Sequence, residues 1–166
     1  MNMTHYMELL ATNQPWNLLI FMAIPVVLAE TLAISELYLL STRNYSGWVH
    51  GLNRMVGITV GLYFIGVIIY LLKTAVWPIT QAGEWRTIID VIAVGTYLIG
   101  GLPLIYIAFQ ELGWVNTQAT EETKRHAHAI CVALFLIFGH VAMIAGMLDP
   151  SLLGYVPDGM SEVHNH

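Results

Sequence analysis

The stretch His126-Ala-His128-Ala-Ile-Cys131-Val-Ala-Leu-Phe-Leu-Ile-Phe-Gly139-His140 decides the fold. It is apolar almost throughout, and it carries histidines at both ends. At 100° per residue, fourteen residues return to within about 40° of the starting direction and rise ~21 Å. His126 and His140 therefore share one helix face, the first near a membrane surface and the second near the middle. An ionisable side chain among lipid tails is costly and ordinarily faces a partner or a cofactor.

Working outward, three further apolar stretches precede it. One covers about 16–40 and is interrupted by Pro25, Glu30 and Glu36. A second covers about 51–72, with Gly57, Gly61 and Gly66 along it. A third covers about 87–109, with Asp90, Gly100-Gly101 and Pro103. The fourth is 126–148. Each reaches the ~20 residues a helix needs to cross ~30 Å of hydrocarbon. Trp16, Trp48, Trp77, Trp85 and Trp114 fall near the span ends, where indole rings favour the headgroup region. With 57% hydrophobic and 10% charged residues in 166, the chain reads as all-α, a single integral membrane four-helix bundle. Residues 111–125 read as a polar loop, and 150–166 as an extended tail.

The composition also excludes function classes. A formal charge of −5, with no basic cluster beyond Lys124-Arg125, offers no nucleic-acid footprint. A single cysteine, Cys131, permits neither an internal disulfide nor a cysteine metal cage, and its apolar neighbours make it a small buried hydrophobe. The N-terminus lacks the basic opening of a signal peptide, so the first span is expected to stay in the mature chain. Nucleophile-elbow, phosphate-loop, dinucleotide and zinc-protease motifs do not occur. Arg43 and Arg54 flank the first connection, Lys124 and Arg125 end the third, and Lys73 and Arg86 flank the second. The excess puts the first and third connections in the cytoplasm and both termini outside.

In that topology the second and fourth helices run parallel, so His50 and Arg54 sit level with His126 and His128. Two imidazoles could ligate one b-type haem, with the Arg54 guanidinium on a propionate. Gly57 and Gly61 would admit a flat macrocycle, or equally let helices pack closely. The order of features resembles the bacterial cytochrome b561 family, four-helix di-haem electron carriers. Its marks here are His50 opening the second helix, Thr96-Tyr97-Leu98-Ile99-Gly100-Gly101-Leu102-Pro103 in the third, and His126 with His140 in the fourth. The resemblance implies a haem between His50 and His126, and by its level in the membrane His128 is the substitute for His126. It further implies a bacterial inner-membrane location, and electron transfer between a quinone-level donor and a redox partner protein. By the same pattern His140 would pair with a histidine heading the first helix. Gln14-Pro15-Trp16-Asn17-Leu18 has none there, and the nearest is His5.

Haem leaves the acidic residues of the first span unexplained. Glu30 and His140 are expected at similar depth, where a contact would neutralise both. Glu36, His50, Glu111, His126 and His128 form a second possible layer nearer the cytoplasm, unless Glu36 and Asp90 simply snorkel to the surface. Carboxylate with imidazole is a ligand set for a divalent metal ion, or a stepping path for protons. The rival expectation is thus a small divalent-metal or proton-coupled permease using Glu30, Glu36, His128 and His140. A third is a structural or assembly subunit whose buried polar groups lock helices to one another or to a second copy. His164 and His166 in the tail are a possible metal catch outside the membrane.

Overall fold

The computed structural model describes residues 4–83, 85 and 87–149, and among them there is helix and no strand. A short α1 (His5–Ala11) is followed by four long helices: α2 (Trp16–Thr42), α3 (Trp48–Ala82), α4 (Ile88–Glu111) and α5 (Glu121–Met147). All four are long and apolar enough to cross a membrane. Each packs on its chain neighbour, and α5 closes the ring against α2, leaving α2/α4 and α3/α5 as diagonals. One end of the bundle carries the 43–47 and 112–120 connections. The other, the terminal end, carries α1 and the 83–87 connection.

The outer faces are apolar, with Ile34, Leu37, Ile69, Ile137 and Ile144 exposed, as a helix in lipid requires. Trp16, Trp48, Trp77 and Trp114 are exposed at the ends, in the belt that indoles prefer. Inside, Phe64 meets Phe135 edge-on at 5.1 Å and Tyr97 at 5.9 Å between ring centroids. Gly101 makes room for the Phe64 ring: a Cβ there would lie 2.6 Å from Phe64 Cδ1. Gly57 and Gly61 lie where α3 crosses α4, facing Ile107 and Ala108, so their smallness serves helix packing.

Three prolines sit inside spans, Pro25, Pro78 and Pro103, and the first two follow a wider turn. Residues Leu19–Ala23 and Leu72–Val76 form π turns, each ending two residues before a proline, Pro25 and Pro78. Because proline has no N–H, the carbonyl four residues earlier loses its donor. In α2 the shift to Ile24 N–H→Leu19 O frees the carbonyls of Ile20 and Phe21. Tyr63 and Tyr97 take them up, their hydroxyls donating at 2.7 Å and 2.8 Å. Tyr97→Phe should therefore cost about 1 kcal/mol, read as a lower thermal unfolding midpoint in detergent. An unchanged midpoint would mean that the freed carbonyl is satisfied otherwise.

The helix boundaries differ from the sequence reading in three places. The second span does not stop at 72, because the π turn carries α3 on to Ala82. The loop expected over 111–125 ends at 120. Thr120 caps α5 by accepting from Thr123 N–H at 3.3 Å, and Glu121 and Glu122 fill a first turn that favours negative charge. The short α1 was not expected. Its capping Thr4 is buried and donates to Gly146 O at 2.7 Å, pinning α1 to the end of α5. Asp90 does not snorkel, being fully buried in the first turn of α4. The tail over 150–166, with His164 and His166, lies outside the described residues, as does the side chain of His5.

Candidate functional site

The register of α5 decides which polar groups enter the bundle. Its buried stripe is Arg125, His128, Val132, Phe135, Ala142 and Ala145, spaced by threes and fours with one turn skipped. His126 and His140 do share a face, as their spacing requires, but that face is exposed. The stripe on α2 brings in Ser35 and Glu36, and that on α3 brings in Asn53. These groups meet at the end bearing the 43–47 and 112–120 connections.

Arg125 is the hub of this layer. Its side chain is 1% exposed, as is that of Glu36. Nη1 donates to Glu36 Oε1 at 3.1 Å and to the Asn53 side-chain carbonyl, and Nη2 donates to Glu111 Oε1 at 2.7 Å. His128 Nδ1 lies 2.8 Å from Glu36 Oε1 and 3.3 Å from Arg125 Nη1. A carboxylate only accepts, so across the shorter of these two contacts Nδ1 donates to Glu36. Asn53 in turn donates to Ser35 Oγ at 2.8 Å, and Ser35 to the Thr31 carbonyl at 2.7 Å. Arg54, on the outer side, approaches Glu111 Oε2 at 3.8 Å. Glu121 Oε2 lies 3.7 Å from Arg125 Nη2 at the solvent side, so three carboxylates face two guanidinium groups, one buried and one exposed.

Beside the layer is a polar cleft of about 260 Å³, lined among others by His50, Arg54, Gln110, Glu111, Glu121 and Lys124. Gln110 is 4% exposed, and neither atom of its amide has a partner; His50 Nδ1 is likewise buried and unpartnered.

A second cavity, of about 170 Å³, lies deeper between α2 and α5, with Tyr97 of α4 at its back. Glu30, midway along α2, and His140 both line it. They form no ion pair with each other. His140 Nδ1 donates to the Leu136 carbonyl at 2.6 Å, which leaves Nε2 open. The remaining wall is Phe21, Met22, Pro25, Val26, Phe135, Leu136, Gly139 and Met143. Both Glu30 and His140 are exposed on the outer flank of the bundle.

The sequence-derived sites are rearranged accordingly. Glu36, expected either to snorkel or to join a layer with Glu111 and His128, is buried in that layer. His50 and Arg54 line the cleft beside it, whereas His126 is exposed and turned away. The side chains as placed do not offer a bis-histidine haem its two ligands together: His50 lines the polar cleft, whereas His126 is exposed and does not line it. No group of three or more metal-binding side chains occurs among the described residues. The proposed set Glu30, Glu36, His128 and His140 is split between two places, and a guanidinium already neutralises Glu36. Arg125, Asn53 and Ser35 were missed as functional residues. The signal for Arg125 was present, since stepping back by three from His128 along the 128–132–135 stripe reaches 125, whereas 126 falls off it.

A family model described as a family of unknown function, DUF6803, matches residues 1–162. No curated protein and no solved structure matches the chain.

Proposed function

We propose, starting from the fact that the chain belongs to the DUF6803 family, that it is a small proton-coupled permease. The observation that carries this reading is the cavity at Glu30 and His140. A side chain that locks a bundle must make bonds, and those of Arg125, Glu36 and His128 do. Glu30 makes no ion pair and His140 bonds only its own helix, so they lock nothing. Ionisable groups held in the hydrocarbon region without a partner point to a transported ion or proton.

The two places divide the work. Glu30 and the open Nε2 of His140 hold and release the proton. The Arg125 layer, about 9 Å further along α2 by the rise from Glu30 to Glu36, seals the path towards the cleft. His128 Nε2 and Glu36 Oε2, both buried and unpartnered, are the atoms through which a proton would cross the seal. We place the protein in a bacterial inner membrane with both termini outside. The structure removes Arg125 from the connection charges, and Arg43, Arg54 and Lys124 still outnumber Lys73 and Arg86.

The test uses everted vesicles from cells that overproduce the chain, with a respiration-driven pH gradient read by an acridine dye. Sodium, potassium, magnesium and tetraphenylphosphonium are added in turn. One class of cation is expected to dissipate the gradient, and Glu30→Gln vesicles to lose at least nine-tenths of that response. A wild-type chain inert to all of them would overturn the reading. So would a low-spin haem spectrum, oxidised against reduced, in the purified protein.

A further inference from the structure

We infer that the Glu30 cavity binds a hydrophobic monovalent organic cation, an ammonium or phosphonium bearing apolar or aromatic groups. The inference rests on the permease reading and names its cargo.

The donor set excludes small inorganic ions first. Sodium, magnesium or calcium must exchange a hydration shell for several oxygen ligands. Of the lining side chains only Glu30, His140 and Tyr97 carry polar atoms, and the Tyr97 hydroxyl already donates to Phe21 O. One carboxylate and one imidazole cannot replace such a shell. An organic cation spreads its charge over carbon-bound surface and needs little replacement.

The walls suit that ligand. Phe21, Tyr97 and Phe135 supply aromatic surface, and Met22 and Met143 supply flexible, polarisable contact. Cations are attracted to aromatic faces, more strongly where water is excluded, and thioether side chains adapt to varied shapes. Glu30 provides the single opposite charge. The other titratable groups facing it are His140 from α5 and Tyr97 from α4, and neither is a carboxylate. With Glu30 and His140 open to the outer flank, the ligand enters sideways from the bilayer. About 170 Å³ holds the charged centre, and its apolar substituents reach out into lipid. Cation and proton then compete for one carboxylate, which is the coupling a permease needs.

Equilibrium binding of radiolabelled tetraphenylphosphonium to the purified full chain in nanodiscs tests the inference. Saturable binding is expected in the wild type and in Glu30→Asp, with at least a tenfold loss of affinity in Glu30→Gln and in Phe135→Ala. Thermal unfolding of each variant controls for folding. Absent binding, or binding untouched in a folded Glu30→Gln, would overturn it. Equal competition by neutral decylubiquinone would also overturn it, by showing a pocket for neutral rings. A dimer in native mass spectrometry that binds no cation would do the same, by assigning the flank to a second copy. Failure here beside a vesicle response to an inorganic cation leaves the permease reading standing. Binding without any proton movement sinks the permease reading and leaves the site.

Discussion

Replacing Arg125 by leucine should destabilise the bundle by about 3–5 kcal/mol, the range for removing one partner of a buried ion set. The change strands Glu36, 1% exposed, with only His128 and no guanidinium, and leaves Glu111 to the exposed Arg54. Asn53 loses the donor to its side-chain carbonyl as well. Lysine is expected to recover less than half of the loss. A single ammonium cannot reproduce the planar fork that reaches Glu36 and Asn53 with one nitrogen and Glu111 with the other. The triple change Arg125→Leu, Glu36→Gln, Glu111→Gln should regain much of the stability, because no buried charge then remains unpaired. Thermal or denaturant unfolding in detergent, followed by helical circular dichroism, reads all three. Wild-type stability in Arg125→Leu would show that the layer is not closed in the membrane-embedded protein.

The second large effect belongs to Gly61, where α3 packs directly against the backbone of α4. A Cβ at this position would sit 2.7 Å from the Leu104 carbonyl oxygen and against the Ala108 methyl. The oxygen is backbone and cannot rotate away, so Gly61→Ala must push two helices apart, at about 1–3 kcal/mol. Gly66, one turn and a half further along α3, is the control. A Cβ there meets nothing within 4 Å, so Gly66→Ala should be neutral or slightly stabilising, alanine being the better helix former. If the two variants unfold alike, the close crossing of α3 and α4 is wrong.

Spans and fold class were legible in the sequence because they depend on length and apolar content, which a chain states openly. The polar layer was half legible. Glu36, Glu111 and His128 were grouped by depth, which follows from rise per residue along helices of known direction. Arg125 was set aside as a loop charge because the helix was started at 126. Thr120-Glu121-Glu122 is a capping sequence that, given its weight, would have begun the helix five residues earlier and placed Arg125 inside. The histidine pair fourteen apart misled in the opposite way. Spacing fixes that two residues share a face, but only the neighbouring stripe says whether the face is buried, and the stripe runs through 128, 132 and 135. The widened turns before Pro25 and Pro78 could not be read, since proline states which hydrogen bond is lost but not how the backbone recovers.

The ion layer also imposes an order on biogenesis. Glu36 is made early, and its guanidinium partner is 89 residues downstream. Glu111 and Arg125, only 14 apart, come with the second hairpin as a ready-made pair. The first hairpin thus enters the bilayer with an acid whose counter-ion has not been synthesised, and nothing in α3 offers a buried substitute. Its maturation waits for the ribosome to finish the last helix. A chain truncated before α5 is left with an exposed flaw that membrane quality control can recognise, while one completed helix later that flaw is gone.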